Sequence, residues 1–435
     1  MLIHGKAIEQ QLGRLEWEKI ARQTGFQKRQ AKKIKAIELI QALCVAGSFG
    51  SISLNLLAMI VSLIGGCRVS KQGLAKRISE AAIRFVSEIL YATLGRLSGA
   101  GPVRSQKAFS SFKRVLVQDS TNLSLPKRFS DIFPGSRNQS GSQSAILKIQ
   151  AVYDLLAEKM VDFSLSGYTR NDQAASPDIL QLARAGDLII RDLGYFALEV
   201  FKSLDNSGVF FLSRLRDRVA LYYLDDGQRI DLLKALEKSH MLDLEVEAGA
   251  SQRQRVRLVA MPVSEAVANK RRREAKNKRD KRCKPKKEAL KLLGWEIFIT
   301  NVSREVWSPK TVVQAYFLRW RIEIIFKAWK SHFRLTEISC GSKNMLMVCL
   351  LAKLIYISWF HAVFDRIEFY WKSDTGRSLS ILKTATFFDI FSSTIIARAL
   401  MNADEELVQD ILATLCSYEK RKQRINFYQQ AAALS

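Results

Sequence analysis

Apolar residues recur at three- and four-residue steps through Tyr316-Phe-Leu-Arg-Trp-Arg-Ile-Glu-Ile-Ile-Phe-Lys-Ala-Trp-Lys330, a stretch without Gly or Pro. That period predicts one continuous helix. At about 100° per residue, Tyr316, Arg319, Glu323, Lys327 and Lys330 share a stripe, and Phe317, Ile324, Ile325 and Ala328 supply much of the opposite, apolar face. Two readings of the stripe stand side by side. One is a solvated face laced with i,i+4 pairs such as Glu323 to Lys327. The other is a metal-binding carboxylate flanked by groups that grip phosphates.

The rest of the chain falls into blocks. Residues 1 to about 100 read as helices, with a periodic segment at Leu12–Ala21, a basic stretch at Lys28–Lys35 and an apolar helix at Leu54–Leu63. Ile64-Gly-Gly-Cys-Arg breaks that helix, and Ser70 caps the next, which buries Leu74, Ile78, Phe85 and Ile89. The outline is a helix-turn-helix presenting Lys71, Gln72, Lys76 and Arg77 to a DNA groove, or an ordinary helical hairpin with a basic surface. Gly99–Pro102 is a linker. Val115–Val117 is a buried strand with Asp119 at its carboxyl end, Pro134–Ser144 a loop, Ile146–Leu155 and Lys159–Leu165 a pair of strands, and Ala174–Ala183 a helix. A second apolar strand ends on Asp192, where Gly194 permits a sharp exit; Asp187 stands at its beginning. An aspartate in such a place shapes a turn or serves chemistry, and in open sheets chemistry gathers beyond the carboxyl ends of strands.

Val209–Arg214, Val219–Leu224, Leu242–Val246 and Arg255–Met261 read as strands of a β-rich insertion. Lys270–Lys287 then carries twelve Lys or Arg in eighteen residues. It is expected to be mobile or helical only on contact, either as a phosphate-binding element that includes Lys270, Arg271, Arg272 and Arg273 or as a solvated tail. Trp295–Asn301 is a last strand before the helix of Glu323, and the chain beyond 345 is helical, ending in the basic Lys420–Arg424.

Charge sharpens the picture. The 435 residues carry a net charge of +26, which predicts a polyanionic partner, and a 48% hydrophobic content that fills real cores. Six scattered cysteines without a Cys-x-x-Cys pair, and four dispersed histidines, argue against a zinc site and a disulfide framework. No signal peptide opens the chain. The most apolar run, Leu346–Phe364, holds Lys353 and His361 and reads as a buried helix rather than a membrane span. The expected compartment is the reducing cytoplasm.

The spacing Tyr316, Arg319, Glu323, Lys330, with Trp320 and Lys327, resembles the signature of bacterial insertion-sequence transposases of the IS-four type. Asp119-Ser-Thr and Asp192-Leu-Gly-Tyr-Phe resemble that family's first two motifs, and the resemblance covers roughly residues 112 to 335. It implies an α/β fold: a ribonuclease-H-like core, a mixed sheet with flanking helices, at 110–204 and 293–340. The insertion would occupy 205–292, with helical regions at 1–100 and 341–435. It implies a catalytic triad of Asp119, Asp192 and Glu323 holding two Mg²⁺ or Mn²⁺ ions about 3.5–4 Å apart, with Asp119 bridging both. Tyr316, Arg319 and Lys330 would hold DNA phosphates, and Trp320 or Trp295 would either stack on a flipped base or pack in a core. The implied activity is cut-and-paste transposition: binding of terminal inverted repeats in double-stranded DNA, strand cleavage and transfer to target DNA by a homodimer, with no membrane involved. A nuclease of the same superfamily without strand transfer, or a domesticated DNA-binding protein, are the alternatives.

Overall fold

The computed structural model describes residues 15–29, 34–47, 53–65, 69–98, 107–137, 141–277, 286–338 and 340–391. The expected linker at 99–102, the centre of the basic run at 278–285 and the basic stretch 420–424 lie outside them. The chain divides into two compact units, one of Met1–Val103, Ser120–Thr169 and Ile322–Arg424, the other of Arg104–Asp119, Arg170–Arg321 and Ile425–Ser435. The architecture is mixed α/β, as the sequence predicts.

The second unit is built on a sheet. Its strands are the start of β1 (Val115–Leu125), β5 (Leu188–Arg191), β6 (Phe210–Arg214), β7 (Leu221–Tyr223), β8 (Leu242–Ala248), β9 (Gln254–Pro262) and β10 (Trp295–Thr300). They run in the order β1-β5-β6-β10-β9-β8-β7. β1, β5 and β6 are parallel, and the remaining pairs antiparallel. Parallel strands are covered on both faces and read as unbroken apolar runs; all four residues of β5 are buried. Between β5 and β6 comes helix α6 (Leu198–Asn206), which buries Val200, Phe201 and Leu204, with Phe201 stacked on Phe211 at 4.6 Å. The sequence reading put Val209–Arg214 in the insertion, but β6 continues the parallel ladder and pairs on its other side with β10. The meander β7-β8-β9 is added at β10, so the predicted insertion extends this sheet.

Two elements of this unit differ from expectation. Ala174–Ala183 is a short 3₁₀ turn at Ser176–Gln181, opened by Pro177. Part of the basic run is already helical as α8 (Glu265–Lys276), because Arg271 pairs with Glu296 and Arg272 with Glu265.

The first unit holds helices α1 (Trp17–Gln23), α2 (Ala36–Gly47), α3 (Leu54–Gly65), α4 (Lys71–Arg77) and α5 (Glu80–Ser98). It also holds β2 (Pro134–Arg137), the antiparallel pair β3 (Gln143–Asp154) and β4 (Lys159–Gly167), α12 (Lys343–Thr375) and α13 (Ile381–Phe391). The segment read as a loop at 134–144 is hairpin: β2 pairs with β3 so closely that a Cβ on Gly135 would stand 2.5 Å from Ser144 Oγ. Its small polar residues mark close approach, not looseness. The N- and C-terminal helical regions, expected as separate domains, pack together, since α12 lies against both α2 and α5. Length and apolar composition alone would let α12 cross a membrane, yet 78% of its most apolar window is buried inside the fold.

The expected helix-turn-helix is partly altered. Ser70 Oγ accepts from Gly73 N and caps α4, as predicted, but α4 stops at Arg77 and a new helix starts at Glu80. Lys71, Gln72 and Lys76 are exposed, whereas Arg77 is turned inward. Its guanidinium lies 4.3 Å from the Phe26 ring and donates to Phe26 O, so it is not presented to a groove.

Candidate active site

Register brings the two sequence-predicted aspartates together. The parallel ladder pairs Val117 with Ile190 and Gln118 with Arg191, so Asp119 and Asp192 follow at neighbouring positions. Asp192 ends β5 as expected and precedes a 3₁₀ turn at Leu193–Tyr195. Asp119 does not end β1, which runs on to Leu125. The continuation is written in alternation: Thr121 and Leu123 are buried while Asn122 and Ser124 face out, a period of two carried mostly by polar residues. Asp187 sits before β5, at the opposite end, where Arg114 holds it by Nη2 at 2.5 Å and Nε at 3.0 Å. It is a structural ion pair.

The helix predicted over 316–330 is two helices, α10 (Pro309–Phe317) and α11 (Trp320–Ser331). Between them the backbone tightens: Leu318 N donates to Ala315 O at 3.2 Å and Arg319 N to Tyr316 O at 3.1 Å, i→i−3 bonds that end α10. The single stripe is thereby broken. Tyr316 and Arg319 are buried, Glu323 and Lys327 exposed, and Lys330 half-buried.

The turn delivers Arg319 to the aspartates. Its Nη1 donates to Asp119 Oδ2 at 3.0 Å, and its Nη2 lies 3.8 Å from Asp192 Oδ1. Only 8% of the Arg319 side chain is exposed, against 16% for Asp119 and 44% for Asp192, so the site opens on the Asp192 side. Tyr316 Oη makes a long bond of 3.4 Å to Asp192 Oδ1. Burial, aided by the Asp192 charge and opposed by Arg319 and Arg214, pushes the Tyr316 hydroxyl up to about 12, so it stays a donor at neutral pH. Arg214 stacks 5.5 Å from the Tyr316 ring and pairs with the buried Glu296. Sequence reasoning missed this buttress, because nothing local links positions 214, 296 and 316.

Adjacent carboxylates repel, and one guanidinium shared between them offsets that. The donor set suits a hard divalent cation: two carboxylates already gathered around a positive group. Among the described residues, no group of three or more His, Cys, Asp or Glu is gathered to hold a metal. Glu323 belongs to the other compact unit, in the first turn of α11, where a carboxylate complements the helix dipole. Trp320 is 57% exposed and Trp295 half-buried, so the first does not pack in a core. In the basic run Lys270 and Arg273 are exposed, while Arg271 and Arg272 are half-buried and engaged with Glu296 and Glu265.

Comparison with known proteins identifies the family. Residues 110–358 match the family described as the transposase DDE domain. The transposase for insertion sequence element IS231C of Bacillus thuringiensis subsp. berliner is 30% identical over 362 residues, which cover 78% of this chain and 75% of the relative. The transposase for IS1151 of Clostridium perfringens is 26% identical over 370 residues, covering 80% and 78%. A cryo-EM structure of the piggyBac transposase synaptic complex with hairpin DNA aligns at a TM-score of 0.44 and 9% identity, over 94% of this chain and 83% of that one. The family match spans both aspartates and the Tyr316–Lys330 signature, and the alignment with the IS231C relative covers 78% of the chain: the chain belongs to the bacterial insertion-sequence transposases with a DDE domain.

Proposed function

We propose that this DNA transposase carries out cut-and-paste transposition with Asp119, Asp192 and Glu323 as its acids. Transposases of the DDE family use divalent metal ions; here the group would be a pair of Mg²⁺ or Mn²⁺ ions. The observation that carries the reading is the cation-binding geometry of the aspartate pair, with Arg319 shared between Asp119 at 3.0 Å and Asp192 at 3.8 Å. When bound, the metal pair supplies charge stabilisation at the attacking and leaving oxygens of a phosphodiester. Asp119, Asp192 and Glu323 would hold the metal.

The chain's own residues do the rest. Arg319 turns from the carboxylates to a DNA phosphate, which its planar fork suits. Tyr316, protonated at neutral pH, donates to a phosphate oxygen. Lys330, whose pKa burial lowers, adds a point charge on the face of α11 that carries Glu323 and Lys327. Trp320, the exposed indole beside Arg319, offers a stacking face to an unpaired base. Lys71, Gln72 and Lys76 contact the terminal repeats, while Lys270 and Arg273 neutralise backbone phosphates. The active species is a homodimer bridging two transposon ends, working in the cytoplasm and away from membranes.

The test is a strand-transfer assay. A labelled, pre-cut terminal-repeat duplex is incubated with plasmid and Mg²⁺, with wild type and Asp119→Asn. Joined product from wild type alone supports the proposal. Cleavage without joining would make the protein a nuclease, and binding without metal-dependent cutting would make it a DNA-binding protein whose acids are idle.

A further inference from the structure

The residues immediately before the two aspartates form a layer of their own. Side chains alternate along a strand, so Gln118 and Arg191 face the side of the sheet opposite Asp119 and Asp192. Both are closed off from solvent, with Gln118 2% and Arg191 0% exposed. Arg191 Nη1 donates to Gln118 Oε1 at 3.3 Å, to Ser176 O at 2.9 Å and to Ser176 Oγ at 2.9 Å. Ser176 Oγ in turn donates to Tyr195 O at 2.8 Å, in the turn that follows Asp192. Asp192 is therefore bracketed: the residue before it and the turn after it are both tied to Ser176, and Arg191 reaches on to the neighbour of Asp119.

A buried guanidinium is a poor choice for stability. Among the described residues no carboxylate pairs with Arg191, and its Nε and Nη2 make no hydrogen bond. The Phe201 ring, 5.3 Å away, and the Tyr195 ring, 6.0 Å away, are its other neighbours. Burial lowers its pKa to about 10, which leaves it charged at neutral pH. An apolar side chain of similar volume would remove the two stranded donors, Nε and Nη2, but would leave Gln118 Oε1 and Ser176 O without the donor they have here.

We infer that Arg191 is a positioning residue for the aspartate pair, clamping the middle of β1 to the end of β5 from behind so that Asp119 and Asp192 keep the spacing a divalent cation needs. The inference rests on the reading of that pair as metal ligands. Groups that orient metal ligands without touching the metal typically change its affinity by about 10–100-fold when removed.

The experiment uses the full chain without DNA, Mn²⁺ as the probe, and the variants Arg191→Met, Arg191→Lys, Gln118→Leu and Asp119→Asn. Mn²⁺ affinity, thermal midpoint and duplex binding are measured for each. Measured well below its thermal midpoint, where the variant is fully folded, Arg191→Met should bind Mn²⁺ about tenfold more weakly or worse, with unchanged duplex binding. Arg191→Lys, which restores a donor, should recover most of the Mn²⁺ affinity. Wild-type Mn²⁺ affinity in Arg191→Met, or an affinity that falls only in step with the thermal midpoint, would overturn the inference. Should Arg191→Met not fold, Gln118→Leu decides: weakened Mn²⁺ binding supports the clamp and wild-type binding overturns it. Asp119→Asn tells the two readings apart, since undiminished Mn²⁺ binding there removes the metal pair and the clamp together.

Discussion

Arg319 Nη1 donates to Asp119 Oδ2 over 3.0 Å, joining residues 200 positions apart. Both are largely buried, so neither charge is left to water. Breaking such a pair leaves the carboxylates uncompensated and typically costs about 3 kcal/mol. Arg319→Met should lose stability of that order in metal-free urea unfolding, and Mn²⁺ should restore more stability to the variant than it adds to wild type. Equal Mn²⁺ increments would mean that guanidinium and metal do not share a place.

Asp119→Asn, Asp192→Asn and Glu323→Gln should each reduce cleavage of a terminal-repeat duplex to the metal-free background while leaving gel-shift affinity for that duplex intact. Cleavage retained by any one of them takes that residue out of the triad.

Asp187 offers a contrast, being an aspartate of the same strand at its other end. Its carboxylate accepts from Arg114 and from Arg184 N. Asp187→Ala should cost about 2 kcal/mol, because charge-assisted bonds are lost but the partly exposed Arg114 is reached by water. Cleavage per folded molecule should not change. A specific loss of turnover would assign Asp187 to the chemistry.

The basic run separates into half-buried cations tied to the fold, Arg271 and Arg272, and exposed ones, of which Lys270 lies 4.0 Å from the exposed Glu274. Lys270→Gln, Arg273→Gln and Lys276→Gln together should flatten the slope of log affinity against log salt by up to about 2.7, or about 0.9 per phosphate contact. The loss should be equal on specific and random duplex. Arg271→Gln should lower stability instead, since it removes one of the two cations on the buried Glu296. A salt titration on both duplexes, beside thermal melting, checks this. An unchanged slope in the triple variant would leave these cations as a solvated face.

Lys353, buried in α12, donates from Nζ to Phe333 O at 3.2 Å and Arg334 O at 2.8 Å. Burial lowers its pKa from 10.5 to about 8. The unfolded chain therefore binds more protons than the folded one between those values, and stability rises with pH across that window. The rise attributable to this group is up to about 3 kcal/mol. Urea unfolding of wild type and Lys353→Met from pH 7.5 to 10.5 should show the rise in wild type and a flatter profile in the variant. Parallel profiles would refute the assignment.

The aspartates were legible because each punctuates an apolar run, a local signal that survives without any knowledge of pairing. Arg319 was legible as a residue but not as a buried one, since a helical wheel assumes a helix that does not stop, and the stop at Leu318 involves no Gly or Pro. β6 was misplaced for a different reason: Phe210–Arg214 reads as a strand, but its partners β5 and β10 are set by tertiary pairing. Arg191 was invisible because a cation closing a strand ordinarily marks an exit to solvent. The union of the terminal helical regions was hidden in the same way, as an apolar face does not name what covers it.

The packing of α12 on α2 and α5 has a consequence for the order in which the protein is made. The ribosome finishes α5 at Ser98 and does not begin α12 until Lys343. At about 5–20 residues per second, the two earlier helices wait for roughly 10–50 seconds with part of their greasy sides uncovered. During that interval the nascent chain is exposed to chaperones and to other copies of itself. An isolated fragment ending at residue 98 would stay permanently in that state, so aggregation of the fragment would not count against a DNA-binding role for Lys71, Gln72 and Lys76.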